Sequence, residues 1–168
     1  MRTDPPPSSH GPLPQAGGGE ERLEAIAGAL SIGSLRRHIF LCAQQTKPRC
    51  STFEESSEVW KYLKARLKEL GLASSPPKWQ GTVEGPPPPT GRGEGCVLRS
   101  KVDCLRICEQ GPIAVVYPEG VWYRGVSVEV MERIIQEHLV DGKPVEEHVF
   151  ARDTLQGGLQ GELVEDGW

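Results

Sequence analysis

No apolar run in this 168-residue chain approaches the roughly 20 residues that span a bilayer, so no membrane-crossing helix is expected. The opening residues, Met1-Arg2-Thr3-Asp4-Pro5-Pro6-Pro7, lead into no apolar segment, so neither a secretory signal nor an anchor is expected and the predicted location is cytoplasmic. Positive charge is not in excess. Nineteen Lys and Arg against 23 Asp and Glu leave a formal charge of −4 at pH 7, which speaks against a nucleic-acid protein and suits docking to a basic partner. No Cys-x-x-Cys pair occurs, which removes the motif that depresses a thiol pKa in dithiol oxidoreductases. No Ser/His/Asp set or paired-carboxylate pattern stands out, and the glycines between 81 and 95 precede no helix, as a phosphate loop would require. The chain is therefore not expected to be an enzyme.

Proline and glycine, by contrast, are plentiful at 15 and 20 residues, and they gather at the ends and in the middle. Residues 1–35 read as a disordered N-terminal tail in which only 20–30 has helix-favouring composition. Residues 73–95, with Pro76-Pro77, the run from Pro86 to Pro89 and only Trp79 and Val83 to pack down, read as a flexible insertion. Residues 151–168 read as a C-terminal tail. The folding unit is then 36–150, with roughly 90–100 ordered residues, a size at which a metal site adds meaningfully to stability.

Within that unit, Arg37-His38-Ile39-Phe40-Leu41-Cys42 is β-branched and aromatic and predicts a strand ending at Cys42. Val59, Leu63, Leu67 and Leu70 recur at helical spacing, Trp60 widens their stripe, and Gly71 ends a helix over about 55–70. Residues 96–102 predict a second strand. The runs 113–117 and 121–123, joined by Pro118-Glu119-Gly120, predict a hairpin. Ser127 is an apt N-cap for a last helix to about Leu139, with Val128, Met131, Ile134, Ile135 and Leu139 on one face and Gly142 and Pro144 beyond its end. A crossover helix implies a parallel first pair, and the hairpin adds two antiparallel strands. The expected fold class is α/β, a small mixed four-stranded sheet with two main helices in a thioredoxin-like layout.

Chemistry resides in the five cysteines. In a reducing compartment they read as metal ligands plus one spare rather than as a disulfide framework. The spacings are Cys42-x7-Cys50 and Cys104-x3-Cys108. Structural zinc sites usually draw on tight C-x2-C knuckles, whereas wider loops suit two irons bridged by two sulfides, each iron taking two thiolates. A zinc-bearing or redox-sensing interaction module is the alternative. Cys96 competes for the place of Cys50 but reads better as a small buried hydrophobe. His38, His138 and His148 lie far apart at element edges and read as surface histidines. Arg106, inside the second loop, reads either as a cation that would stabilise a reduced cluster and raise its potential or as a merely solvated side chain. Trp122 and Tyr123 read as core or sheet packing, with a docking or dimer surface as the other use.

Four segments carry a family likeness: His38-Ile39-Phe40-Leu41-Cys42; Cys104-Leu105-Arg106-Ile107-Cys108-Glu109-Gln110-Gly111-Pro112; Val116-Tyr117-Pro118-Glu119-Gly120-Val121-Trp122-Tyr123; and Glu137-His138-Leu139. Over about 38–149 the chain resembles the thioredoxin-like [2Fe-2S] ferredoxins, the Shethna-type proteins related to the small iron–sulfur subunit of NADH dehydrogenases. The resemblance implies one [2Fe-2S] cluster held by Cys42, Cys50, Cys104 and Cys108, single-electron transfer to or from a redox partner protein, and a possible homodimer. The first spacing is shorter than family members often have, and the Pro-rich insertion replaces a shorter connection.

Overall fold

The computed structural model describes residues 19–74 and 95–155. The expectations for the tail before residue 19, for most of the insertion and for the end beyond 155 lie outside the described residues. Along the chain run α1 (Gly19–Ala29), β1 (Arg37–Cys42), α2 (Phe53–Glu69), β2 (Val97–Val102), β3 (Ala114–Tyr117), β4 (Val121–Tyr123), α3 (Val128–Arg133) and β5 (Val149–Arg152). A π-helix, Ile134–Val140, continues α3 directly.

The strands form one sheet in the order β2-β1-β3-β4-β5. β1 and β2 are parallel, with Arg37 opposite Val97 and Cys42 opposite Val102, and the other neighbouring pairs are antiparallel. The expectation of four strands is corrected to five. Val149–Arg152 pairs with β4 where a C-terminal tail was expected from residue 151. Glycine is required at the β3–β4 turn, since Gly120 has φ +63° and a Cβ there would collide with the backbone carbonyl of Asp153 as β5 passes.

α2 starts two residues earlier than its apolar stripe suggests because Thr52 and Glu55 close a capping box. Thr52 Oγ1 accepts from Glu55 N at 3.1 Å, and Glu55 Oε2 accepts from Thr52 N at 3.0 Å. Its Val59, Leu63 and Leu67 are buried against Ile39, Leu41 and Val97 of the sheet and Met131, Ile134 and Ile135 of the last helical segment. Each such side chain contributes about 1.5–3 kcal/mol when fully buried. Leu70, the fourth member of the predicted stripe, is exposed. Ser127 caps α3 by accepting from Val130 N at 3.3 Å.

Strand direction decides where the cysteines go. β1 and β2 run the same way and in register, so the segments after Cys42 and after Val102 leave from one end of the sheet. β3 begins at Ala114, opposite Leu41, so residues 108–112 return to that same end. This end is the tip. The turn at Pro118, the start of β1 and Cys96 lie at the other.

Candidate metal centre

Four of the five thiols converge on the tip. Cys104 and Cys108 are exposed, with their sulfurs 3.7 Å apart. Cys42 is buried at the end of β1, and its sulfur accepts from the backbone N–H of Leu105 at 3.0 Å. Cys50 is half-buried, and its carbonyl accepts from Gly111 N at 2.9 Å. Cys96 is elsewhere. It precedes β2 and its carbonyl accepts from Arg36 N and Arg37 N, six residues of parallel strand from the tip, about 20 Å at the usual rise. It packs, half-buried, against the hydrophobic core, as expected of a small apolar residue.

The two cysteine-bearing segments of the tip are tied to each other by hydrogen bonds. Thr46 N donates to Asp103 Oδ1 at 2.6 Å, which holds the Asp103 carboxyl below its ordinary range, and Lys101 Nζ reaches Gln44 Oε1 at 2.7 Å. Ser56, fully buried at the start of α2, accepts from Gln44 N and donates to Gln45 Oε1, while Gln45 Nε2 points at the Cys50 sulfur from 3.7 Å. Helix capping, buried serine and buried glutamine therefore set the position of Cys50.

The loop after β2 is wound to turn amides toward sulfur. Arg106, Cys108 and Gln110 have φ of +67°, +55° and +49°, alternate left-handed residues where no glycine eases the strain. Alternating hands of this kind direct backbone N–H groups into an anion-binding concavity. Here Leu105 N and Arg106 N donate to the sulfurs of Cys42 and Cys104, at 3.0 and 3.2 Å. Gly111 is a second requirement, because a Cβ there would sit 2.6 Å from the Cys50 sulfur.

Electrostatics make two of these thiols, Cys42 and Cys108, costly to ionise unaided. Burial pushes Cys42 up to about 11, and the neighbouring Cys50, Cys104 and Cys108 push the same way, against the Leu105 amide. Cys108 is raised by its hydrogen bond to Cys104, with Arg49 opposing. A cationic occupant removes the repulsion among four thiolates, and N–H donors aimed at sulfur are the outer shell that such a group needs. Among the described residues no three His, Cys, Asp or Glu side chains close around a point as they would around one ion. The donor set, all thiol and distributed over two loops, suits a larger group.

Other predicted residues fall outside this constellation. His38 stacks on Phe40 and its Nε2 lies 2.8 Å from Ser100 Oγ; His148 faces the Arg124 carbonyl. His138 corrects the expectation of a surface histidine. It is completely buried, with Nδ1 2.8 Å from Tyr123 Oη. Tyr123 is core, as expected, and Trp122 packs edge-on against Phe150. Arg106 is exposed and contributes its amide to the site, whereas the cation that acts on a thiol is Arg49. Its position directly before Cys50 was the available signal for Arg49, and the Gly-Pro after the second loop was the signal for Gly111.

No family model matches the chain. The wild-type thioredoxin-like [2Fe-2S] ferredoxin structure from Aquifex aeolicus superposes with a TM-score of 0.50 at 26% identity, covering 70% of this chain and 98% of that one. A protein named 2Fe-2S ferredoxin from Aquifex aeolicus is 31% identical over 126 residues, 72% of this chain and 95% of that protein. The chain belongs to the thioredoxin-like [2Fe-2S] ferredoxin family. The 2Fe-2S ferredoxin of Clostridium pasteurianum is 47% identical over a shorter stretch of 49 residues, so the chain matches 48% of that relative's length. Among the described residues, no helix of this ferredoxin-family chain is long and apolar enough to cross a membrane.

Proposed function

We propose that Cys42, Cys50, Cys104 and Cys108 hold one [2Fe-2S] cluster and that the chain is a one-electron carrier, with no substrate chemistry of its own. The convergence of four thiols on one tip, two of them already accepting backbone N–H groups, carries this reading. When bound, such a cluster takes up and gives back a single electron, at a potential that proteins set anywhere from roughly −700 to +450 mV. The amides of Leu105 and Arg106 stabilise negative charge on sulfur, Arg49 offsets charge at Cys108, and burial of Cys42 limits water at one side of the site. The zinc or redox-sensing alternative is not favoured, since the relatives are named as 2Fe-2S ferredoxins.

The partner is a redox protein that exchanges single electrons with this one. A cytoplasmic location and a homodimer belong to the same reading, and nucleic acid does not. Anaerobically purified protein should carry two irons and two acid-labile sulfides per chain and give a paramagnetic signal only when reduced. Colourless protein with one zinc per chain would sink the proposal.

A further inference from the structure

Two of the four converging sulfurs receive backbone N–H groups, Cys42 from Leu105 and Cys104 from Arg106, and Cys50 is not one of them. Among the described residues, the N–H group that meets the Cys50 sulfur belongs to a side chain, Nε2 of Gln45, at 3.7 Å. Gln45 is only 5% exposed, and glutamine is seldom buried to that degree. A buried amide without partners is costly, so each of its ends needs one. Oε1 accepts from the Ser56 hydroxyl at 3.2 Å, and Nε2 has the Cys50 sulfur.

The surroundings hold that orientation. Gln44, left-handed at φ +53°, donates its N–H to Ser56 Oγ at 3.1 Å, and Thr46 N donates to Asp103 Oδ1 at 2.6 Å, so the backbone is fixed on both sides of Gln45. Ser56 is completely buried, and its single proton is shared between Gln45 Oε1 and the Phe53 carbonyl, at 3.2 and 3.1 Å. One hydroxyl thus ties both the backbone before Gln45 and its side chain to the start of α2. Of the two ends of the amide, only the N–H end suits a thiolate, which accepts hydrogen bonds and has no proton to give. Packing alone does not call for this residue, since an apolar side chain of like volume would fill the space without desolvating an amide.

We propose that Gln45 is a positioning residue of the metal centre, whose side-chain N–H, aimed by Ser56, stabilises negative charge on the Cys50 sulfur and raises the reduction potential there. The proposal rests on the carrier reading above. One-electron reduction adds negative charge at the ligand sulfurs, and an N–H dipole pointing at one of them favours the reduced state over the oxidised. The amide keeps its proton throughout, so the electron is all that is gained.

A dithionite titration of the cluster-loaded full chain, followed by the paramagnetic signal, tests this. Gln45→Met keeps the length of the side chain and removes the N–H. It should retain its iron and be reduced about three- to tenfold less favourably, a midpoint lower by about 28–59 mV at 59 mV per tenfold change for one electron. Ser56→Ala leaves the amide in place but unaimed and should lower the midpoint by a smaller amount. Leu63→Ala removes a buried side chain further along α2 and should leave the midpoint within about twofold of the parent, about 18 mV. Electron–nuclear double resonance of the reduced parent should show a proton coupling that deuterium oxide removes and that Gln45→Met lacks. A midpoint within about twofold of the parent for iron-loaded Gln45→Met, or an equal fall in Leu63→Ala, would overturn the proposal. Should Gln45→Met not hold iron, an unchanged midpoint in Ser56→Ala would overturn it instead. Absence of iron and signal from the parent itself is a different result, which would overturn the carrier reading and this inference with it.

Discussion

The two ends of the sheet handle polar groups in opposite ways. At the far end most of them are turned onto one another, although Glu119 Oε2 and His138 Nε2, 3.6 Å apart, are buried without a hydrogen bond. Arg37 Nε and Nη2 donate to Glu119 Oε1 at 2.8 and 2.6 Å, and its Nη1 donates to the Leu139 carbonyl at 3.1 Å. Tyr123 Oη meets His138 Nδ1 at 2.8 Å and accepts from Val145 N at 3.3 Å. At the tip the sulfurs meet one another and a few amides, two of the four cysteines are exposed, and the backbone is left-handed at alternate residues. A network that closes on itself at all but those two atoms holds the hairpin, β1 and the last helix together. A constellation whose polar groups face a common space without closing is organised for something added. Both ends concentrate unusual residues, so closure is what separates scaffold from site.

The sharpest way to break the comparison is Gly111→Ala. The added methyl would meet the Cys50 sulfur, so retained iron should fall several-fold and stability by about 2–3 kcal/mol, as for overpacking elsewhere. Iron analysis together with a denaturant midpoint reads both, and unchanged iron would show that Cys50 is not constrained from this side. Arg37→Ala should act only at the other end. Losing its charge-assisted bonds should lower stability by about 2 kcal/mol, with visible absorption per chain unchanged.

A smaller difference should appear with pH. Burial holds His138 below its ordinary value of 6.5, the pull of Glu119 notwithstanding, so the imidazole is neutral at pH 7 and the 3.6 Å approach to Glu119 is not an ion pair. The folded pKa lies below the unfolded one, so as pH falls through 6.5 the unfolded chain takes up the proton first. Stability should therefore decline on acidification, by at most about 1.4 kcal/mol per pH unit for this one group. Glu119 acts lower. Burial raises its pKa, but the Arg37 hydrogen bond and charge outweigh that and leave it below 4.5, so its contribution is lost only as pH falls below that value. Urea titrations at pH 7 and 5.5 should converge in His138→Gln, and an undiminished slope in that variant would assign the effect elsewhere.

Much of the fold was legible because its signals are local. The β-branched run ending at Cys42, the hairpin residues Pro118 and Gly120, the stripe of Val59, Leu63 and Leu67, and the Ser127 cap each act within a few residues, and together they imply the parallel pair that brings the thiols to one end. β5 was missed because it is four residues long, with its last three exposed, and it follows Pro144 and a short turn. Its only requirement is a free β4 edge. His138 looked like a surface residue because it lies near the edge of its element, yet it follows Ile134 by four residues and Met131 by seven and so shares their buried face, within the π-helix Ile134–Val140.

For the site, the grouping of thiols was legible from strand direction, and the rest was not. Gly111 against Cys50, Arg49 near Cys108 and the amide of Leu105 on Cys42 are contacts between separate loops, and no single stretch of sequence encodes them. Arg106 illustrates the limit. Its place in the loop suggested a side-chain role, and its left-handed backbone gives it an amide role.

Iron and acid-labile sulfide per chain, determined for Cys50→Ser beside Cys96→Ser, tests the central claim most directly. The account predicts that Cys50→Ser loses most of its cluster and that Cys96→Ser, at the opposite end of β2, keeps two irons and two sulfides with an unaltered paramagnetic signal. Retention by Cys50→Ser with loss in Cys96→Ser would contradict it.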